Sequence, residues 1–265
     1  MLRHAAAGLT GLVTFGMAGQ VTAGEGGVQT VRRTIGKQPI NLAVKAAERG
    51  ERAALALAAY SATLVKKERI GGDLLESELV MKVRHEPFAV YVKYVDPNGG
   101  RQVLYRDGEN DGQMLVRQTG LASFLGTMQV APAGTLALKE NRHPITKAGM
   151  ANLAGGVADE WSELSSAAPD GMTVRRYPSA KFADFRCEAF EVSHEHPGPH
   201  VAFHRTRLFL DRATGLPVRV QRYGFPSAVG IDAPLVEDYA YFDLDLKTRL
   251  TDRDFDPANP SYGFE

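Results

Sequence analysis

The chain has 265 residues, of which 44% are hydrophobic and 23% charged, the composition of an ordinary globular protein with enough length for one sizeable core. Lysine plus arginine equals aspartate plus glutamate at 31 each, so no global basic field exists to hold nucleic acid, and nucleic acid is excluded as the default partner. Cys187 is the only cysteine, which rules out an internal disulfide and reads as a small buried hydrophobe.

The first 23 residues carry the pattern of a secretion signal. Arg3 and His4 precede an uncharged small-residue apolar run over 5–18, and Val21, Thr22 and Ala23 offer small residues for cleavage, which places the mature protein in the periplasm or outside the cell after processing near Ala23. No later segment supplies roughly 20 uncharged apolar residues, so the chain is not expected to span a membrane, and contact with one is at most transient and at its surface. Residues 24–39 are polar, glycine-rich and aperiodic and read as a flexible arm, leaving 40–265 as a single domain.

From Asn41 the spacing predicts an amphipathic helix ending before Tyr60, with Leu42, Val44, Ala47, Ala54, Leu55 and Ala58 on its apolar stripe and Gly50 as a weak point. Residues 60–70 are rich in β-branched and aromatic types and stop at Gly71-Gly72-Asp73, after which Leu75, Ser77, Leu79, Met81 and Val83 alternate with Glu76, Glu78, Lys82 and Arg84. This is the signature of antiparallel strands with one wet face. The meander continues through 88–95, 101–106 and 113–117, punctuated by glycine-rich turns that lack a Walker or dinucleotide fingerprint.

After Gly120 the pattern changes. Leu121, Phe124, Leu125, Met128 and Val130 fall in a stretch without a charged residue until Lys139, broken by Pro132 and Gly134. Loops are usually polar, so residues 121–130 are read as a lid over an apolar cavity, with Leu121, Phe124, Leu125 and Met128 as candidate ligand contacts. A helix opened by Pro144 follows, carrying Met150, Leu153, Val157, Trp161 and Leu164 at spacings of three and four, and Trp161 is expected against the concave sheet face at the cavity. A second block of strands covers 173–178, 185–196, 202–211, 216–225 and 235–246. Helix, sheet, lid and helix, then sheet again predicts an α+β fold, a strongly curved antiparallel sheet forming an open half-barrel with helices and a lid over its concave face.

Five phrases carry a resemblance: Tyr60-Ser-Ala-Thr-Leu-Val-Lys-Lys-Glu-Arg, Lys82-Val-Arg-His-Glu-Pro-Phe-Ala-Val-Tyr, Gly100-Arg-Gln-Val-Leu-Tyr-Arg-Asp-Gly-Glu-Asn-Asp-Gly, Asn141-Arg-His-Pro-Ile-Thr, and the tail from Leu250 to Phe264. They resemble a family of secreted bacterial proteins without an assigned activity, over nearly all of the chain after Pro39. The order of elements is also similar to that of the LolA-like lipoprotein carriers, and this second resemblance implies an open barrel that shelters acyl chains. It implies as partners a hydrophobic small molecule, a lipid or an acylated protein. No ligand-contacting residue of those carriers is carried over.

Two other chemistries compete. His194, His196, His200 and His204 lie in one short stretch, with His194 and His196 set on one face of a strand, which predicts an alternative zinc or copper site in an envelope metal-binding protein. Asp252, Asp254 and Asp256 are spaced like a calcium loop, but Pro257 stands where glycine is required and Gly263 where glutamate is, so they read as turn caps. No G-x-S-x-G elbow, H-E-x-x-H helix or cofactor fingerprint occurs, and the expectation is a noncatalytic protein without a cofactor. A structural module whose cavity is filled by its own side chains is the remaining alternative.

Overall fold

The computed structural model describes residues 29–32 and 38–264. The signal segment, its cleavage point near Ala23 and most of the arm lie outside the described residues. Four arm residues, Gln29–Arg32, are not free chain but strand β1, paired antiparallel with β8. The pairing satisfies main-chain groups that the edge of β8 would otherwise expose.

The remaining elements follow in chain order: helix α1 (Gln38–Leu55), strands β2 (Ala59–Ile70), β3 (Asp73–Arg84), β4 (Ala89–Asp96), β5 (Gln102–Arg106), β6 (Met114–Arg117) and β7 (Thr127–Val130). Then come helices α2 (Thr135–Leu138) and α3 (Met150–Ala167), and strands β8 (Met172–Phe182), β9 (Phe185–His194), β10 (Arg205–Asp211), β11 (Pro217–Tyr223) and β12 (Leu235–Asp245). All twelve strands form one antiparallel sheet in the order β1-β8-β9-β10-β11-β12-β2-β3-β4-β5-β6-β7. The two sequence blocks meet where β12 pairs with β2, with Tyr239 opposite Lys66 and Tyr241 opposite Leu64. β1 and β7 end the sheet without pairing to each other, so the barrel stays open. Five pairings carry a register shift, at Glu78/Leu79, Tyr177/Ala180, Phe209/Leu210, Arg222/Tyr223 and Phe242/Asp245, and such bulges bend strands and increase twist. This is the expected α+β half-barrel, with α1 and α3 inside it.

Strand alternation decides which side chains face inward. Tyr60, Ala62, Leu64, Lys66 and Glu68 of β2 are all buried, and Leu79, Met81 and Val83 of β3 continue the same face. The opposite, convex face of β4–β6 is apolar too, but the C-terminal segment covers it: Phe255 and Phe264 pack onto Ala89, Tyr91, Leu104 and Leu115, and Tyr262 stacks on Tyr91 at 4.0 Å. Thr251 and Asp254 form a capping box in that segment, which agrees with the turn-cap reading of the aspartates.

α1 departs from its predicted stripe. Leu42 and Leu55 are exposed, while Ile40, Ala43, Ala46, Ala47 and Ala54 are buried. An alanine face lets α1 lie close to α3, which offers Ala151, Ala154 and Ala158. Gly50 is not a kink within this single helix. A β-carbon there would meet Leu210 Cδ2 at 2.7 Å, so glycine serves the approach of α1 to β10. Helix α3 starts at Met150 rather than at Pro144, which instead precedes a separate 3-10 turn, Ile145–Lys147.

The meander also runs further than expected. Residues 121–130 are not a lid: Gly120–Leu125 is a 3-10 turn and Thr127–Val130 is strand β7, in register with β6 from Met114 opposite Val130 to Arg117 opposite Thr127. The uncharged run is a hairpin extending the sheet, with Leu121 and Phe124 solvent-exposed at its tip.

Tyr60 joins the sheet to α3. It is fully buried, and its hydroxyl accepts the Met150 N–H at 2.8 Å, one of the first-turn N–H groups that a helix cannot satisfy itself. Tyr60→Phe is expected to lower unfolding free energy by about 1–3 kcal/mol, measured by denaturant titration, because the N–H loses its acceptor in a dry site.

Candidate functional site

Between the sheet and the helices lies a cavity of about 590 Å³. Its floor is apolar: Leu64 of β2, Leu79 and Met81 of β3, Val92 of β4, Val103 of β5 and Met114 of β6. Three sources close the sides. The connection over residues 131–149, which contains α2, crosses from β7 and contributes Pro132, Ala137, Asn141, His143 and Ile145. α3 contributes Leu153, Gly155, Gly156 and Asp159, and β11 and β12 contribute Arg222, Glu237, Tyr239 and Tyr241.

Two adjacent glycines inside a helix weaken it by roughly 1 kcal/mol each relative to alanine. Gly155 has a packing reason, since a β-carbon there would fall 2.6 Å from Glu51 Oε1. Gly156 has none: nothing lies within 4 Å of a β-carbon at that position, and the residue borders the cavity. Glycine at 156 keeps space open.

The end of the cavity away from the floor is charged. The inward alternation that places Leu64 on the floor places Lys66 and Glu68 beside it, and in β12 it places Glu237 and Tyr239 opposite them. Lys66 Nζ donates to Glu68 Oε2 at 2.7 Å and to Asn141 Oδ1 at 2.5 Å. Glu68 Oε1 accepts the Tyr239 hydroxyl at 2.5 Å and the Arg142 backbone N–H at 3.3 Å. Glu237 accepts from Arg222 Nη1 at 2.6 Å and from Arg142 Nε at 3.1 Å, and its Oε2 lies 2.9 Å from His143 Nε2. Arg222 Nε continues to Glu160 of α3 at 2.8 Å, which also accepts Thr206 Oγ1 at 2.6 Å. One hydrogen-bonded chain thus ties α3, β11, β12, β2 and the 131–149 connection together. Asn141, Arg142 and His143 are the points at which that connection is pinned.

Burial by itself raises the Glu237 carboxyl, but the His143 hydrogen bond and the charge of Arg222 outweigh it and hold the group down at about 2. Tyr239 is pushed up, first by burial and then by Glu237 and Glu68, so it remains a hydroxyl donor.

The residues expected to form the site are placed elsewhere. Leu121, Phe124 and Leu125 are exposed on the β6–β7 hairpin, Met128 packs partly buried against the β2–β6 core, and none of the four lines the cavity. Trp161 does face the concave sheet, as expected. It is fully buried among Met172, Val174, Phe190, Val192 and Leu208, in the helix–sheet core beside the cavity rather than in its wall.

The histidine cluster disperses. His194, the last residue of β9, is buried and pushed down to about 4 by burial and then by His204, whereas His196 is exposed beyond the strand. His200 pairs with Glu163 at 2.5 Å, and His204 Nδ1 lies 2.7 Å from the His194 carbonyl. Among the described residues no group of three or more His, Cys, Asp or Glu side chains is arranged to hold a metal ion, which overturns the metal-site alternative. The strand ends before the second histidine, so the shared face does not exist. Cys187 is buried on the convex face with its thiol pushed up to about 12 by burial, an inert packing group.

A curved, unclosed antiparallel sheet with two packed helices and a part-apolar, part-charged inner cavity defines the class of protein. The family described as protein of unknown function (DUF1571) matches residues 57–264, and the chain belongs to it. No functionally curated protein matches the chain. Among solved structures it is similar to a DUF1329 family protein from Desulfovibrio piger, at 13% identity over 82% of this chain and 97% of that one, with a TM-score of 0.38. It is similar as well to a LolA superfamily protein from Nitrosomonas europaea (10% identity, 80% and 96% covered, TM-score 0.33) and to the Mycobacterium tuberculosis lipoprotein LppX (11%, 80% and 99%, TM-score 0.43). No helix among the described residues is long and apolar enough to cross a membrane.

Because the Glu237 carboxyl is held below its unfolded value of about 4.3, its contribution to stability is present above that value. It is lost as pH falls from about 5 towards 2. Glu237→Gln is expected to cost about 3 kcal/mol at pH 7, with the gap to wild type narrowing over that acid range. Hydrogen exchange should rise at residues 141–143 in the variant. A gap that stays constant with pH would contradict the assignment.

Proposed function

We propose that this is an exported, noncatalytic binding protein that shelters the hydrophobic part of a lipid or acylated molecule in its half-barrel cavity, with a role in handling lipids or lipoproteins in the cell envelope. The observation that carries the reading is a cavity of about 590 Å³ over an apolar floor, kept open by a glycine that helix packing does not require. That volume falls within the range of small-molecule sites. A stretch of the sheet's inner face from Leu64 to Met114 is thereby left for something other than the protein's own side chains, which weighs against a purely structural module.

Burial of apolar ligand surface supplies the affinity, about 25 cal/mol per Å² before ordering is counted. Passage in and out would require residues 131–149 to move, since they form the wall that is attached by side-chain bonds rather than by strand pairing. The signal pattern over residues 1–23 supports export to the periplasm or beyond. The noncatalytic reading is supported by the lining itself, which among the described residues contains no serine, threonine or cysteine to serve as nucleophile. Leu121, Phe124 and Leu125 keep a role as an apolar tip for transient contact with a membrane surface, outside the cavity.

Gly156→Leu separates binding from folding. The added side chain enters space that holds no other atom, and removing a helical glycine should leave stability unchanged or higher by up to about 1 kcal/mol. Titration with a fluorescent single-chain amphiphile should show wild-type binding and a loss of roughly tenfold or more in the variant. Equal affinity in both would remove the cavity from the proposal.

A further inference from the structure

The charged end of the cavity specifies what kind of head group the bound molecule carries, an argument that rests on the cavity being the binding site. Its hydrogen-bonded chain contains three cationic side chains, Lys66, Arg142 and Arg222, and three carboxylates, Glu68, Glu160 and Glu237. The count balances. A charged head entering here would face no net opposite charge and would lose its hydration, which is the most unfavourable way to bury an ion.

The hydrogen-bonding capacity is not balanced in the same way. Glu68 accepts three bonds, from Lys66, Arg142 and Tyr239, and Glu237 accepts three, from Arg142, His143 and Arg222. A carboxylate offers about four acceptor sites, so both are close to full. The donors are not. Lys66 directs two of its three N–H groups to Glu68 and Asn141, and Arg222 directs Nε and Nη1 to Glu160 and Glu237 out of five N–H groups. What the charged end has left to offer is donation. Nearer the α3 side, Glu51, Asp159 and Lys147 border the same cavity, two negative groups against one positive, which opposes an anionic head further.

We infer that the cavity takes an amphiphile whose head is an uncharged oxygen acceptor, of the kind an acyl ester or amide carbonyl provides, held by Lys66 and Arg222 while the chain lies on the floor from Leu79 to Met114. An ester carbonyl accepts two hydrogen bonds and brings no charge into the balanced network. A free carboxylate brings a charge beside Glu68 and Glu237, and a quaternary ammonium has no acceptor to meet the spare donors.

The test is calorimetric titration of the purified full chain at pH 8 with three probes of equal chain length: a monoacylglycerol, the corresponding fatty acid and the corresponding alkyltrimethylammonium. The monoacylglycerol is expected to bind about tenfold or more tighter than either charged probe. In a Glu51→Gln, Asp159→Asn double variant, whose two positions are not in the buried network, fatty-acid affinity is expected to rise several-fold (~3-fold or more) while that for the monoacylglycerol stays as it was. If the fatty acid or the ammonium probe binds wild type as tightly as the ester, the head-group inference is wrong and the carrier reading survives. If none of the three binds, both are overturned.

Discussion

Glu237 is the point on which the arrangement of the inner face turns. A carboxylate that is 0% exposed is tolerable only if every approach to it is a donor, and here the donors come from three different parts of the chain: Arg222 from the neighbouring strand, and Arg142 and His143 from the connection that crosses the half-barrel. Because Arg222 is itself shared with Glu160, satisfying that one carboxylate also fixes where α3 sits over β11. The wall of the cavity and the seat of the helix are therefore set by the same buried charge. Replacing the whole network with apolar groups of equal volume would not have to destabilise the fold, since buried ion networks often contribute little net stability. Its retention is better understood as specifying geometry and chemistry at one end of the cavity.

The rest of the molecule frees the inner face for that purpose. The convex side of β4–β6 is sealed by Phe255, Tyr262 and Phe264, and Lys82 secures the seal through Asp254 at 2.7 Å and Tyr262 at 3.1 Å. The second convex patch, around Phe182 and Phe209, lies under arginines, with Arg219 over the Phe182 ring at 4.9 Å. Towards β8–β11 the concave face is filled by α1 and α3, with Trp161 at the centre. Towards β3–β6 the same two helices withdraw, and the floor is left for the cavity. The alanine faces of α1 and α3 belong to this division: helices that pack closely on one another occupy one half of the concavity.

Strand positions were legible because one wet and one dry face impose a two-residue period, and that period is strong in β2, β3 and β12. The stripe of α3 was legible for the same kind of reason, its large side chains recurring every three or four residues. The stripe of α1 was not, because alanine carries little hydrophobic signal and the leucines that do, Leu42 and Leu55, point to solvent. The lid was misplaced since an uncharged run reads as cover, whereas here it is a hairpin whose tip stays exposed.

The charged end of the cavity left only a faint trace. Lys66 and Glu68 continue the buried register of Tyr60, Ala62 and Leu64, and two charges in that register needed partners, but Tyr239 lies 171 residues from Glu68 in the chain, beyond the reach of any local pattern. The pair Gly155-Gly156 inside a predicted helix was the other available signal. The histidines gave the opposite lesson, since four in one stretch scattered as soon as β9 ended at His194.

The central claim is that the half-barrel carries a hydrophobic molecule, and the most direct measurement is native mass spectrometry of the protein exported from a bacterial host, followed by denaturation and lipid analysis of what is released. The account predicts a single stoichiometric acyl compound, present with wild type and recovered again when stripped protein is re-exposed to extracted envelope lipids. Protein that stays at its bare polypeptide mass after that exposure would contradict it.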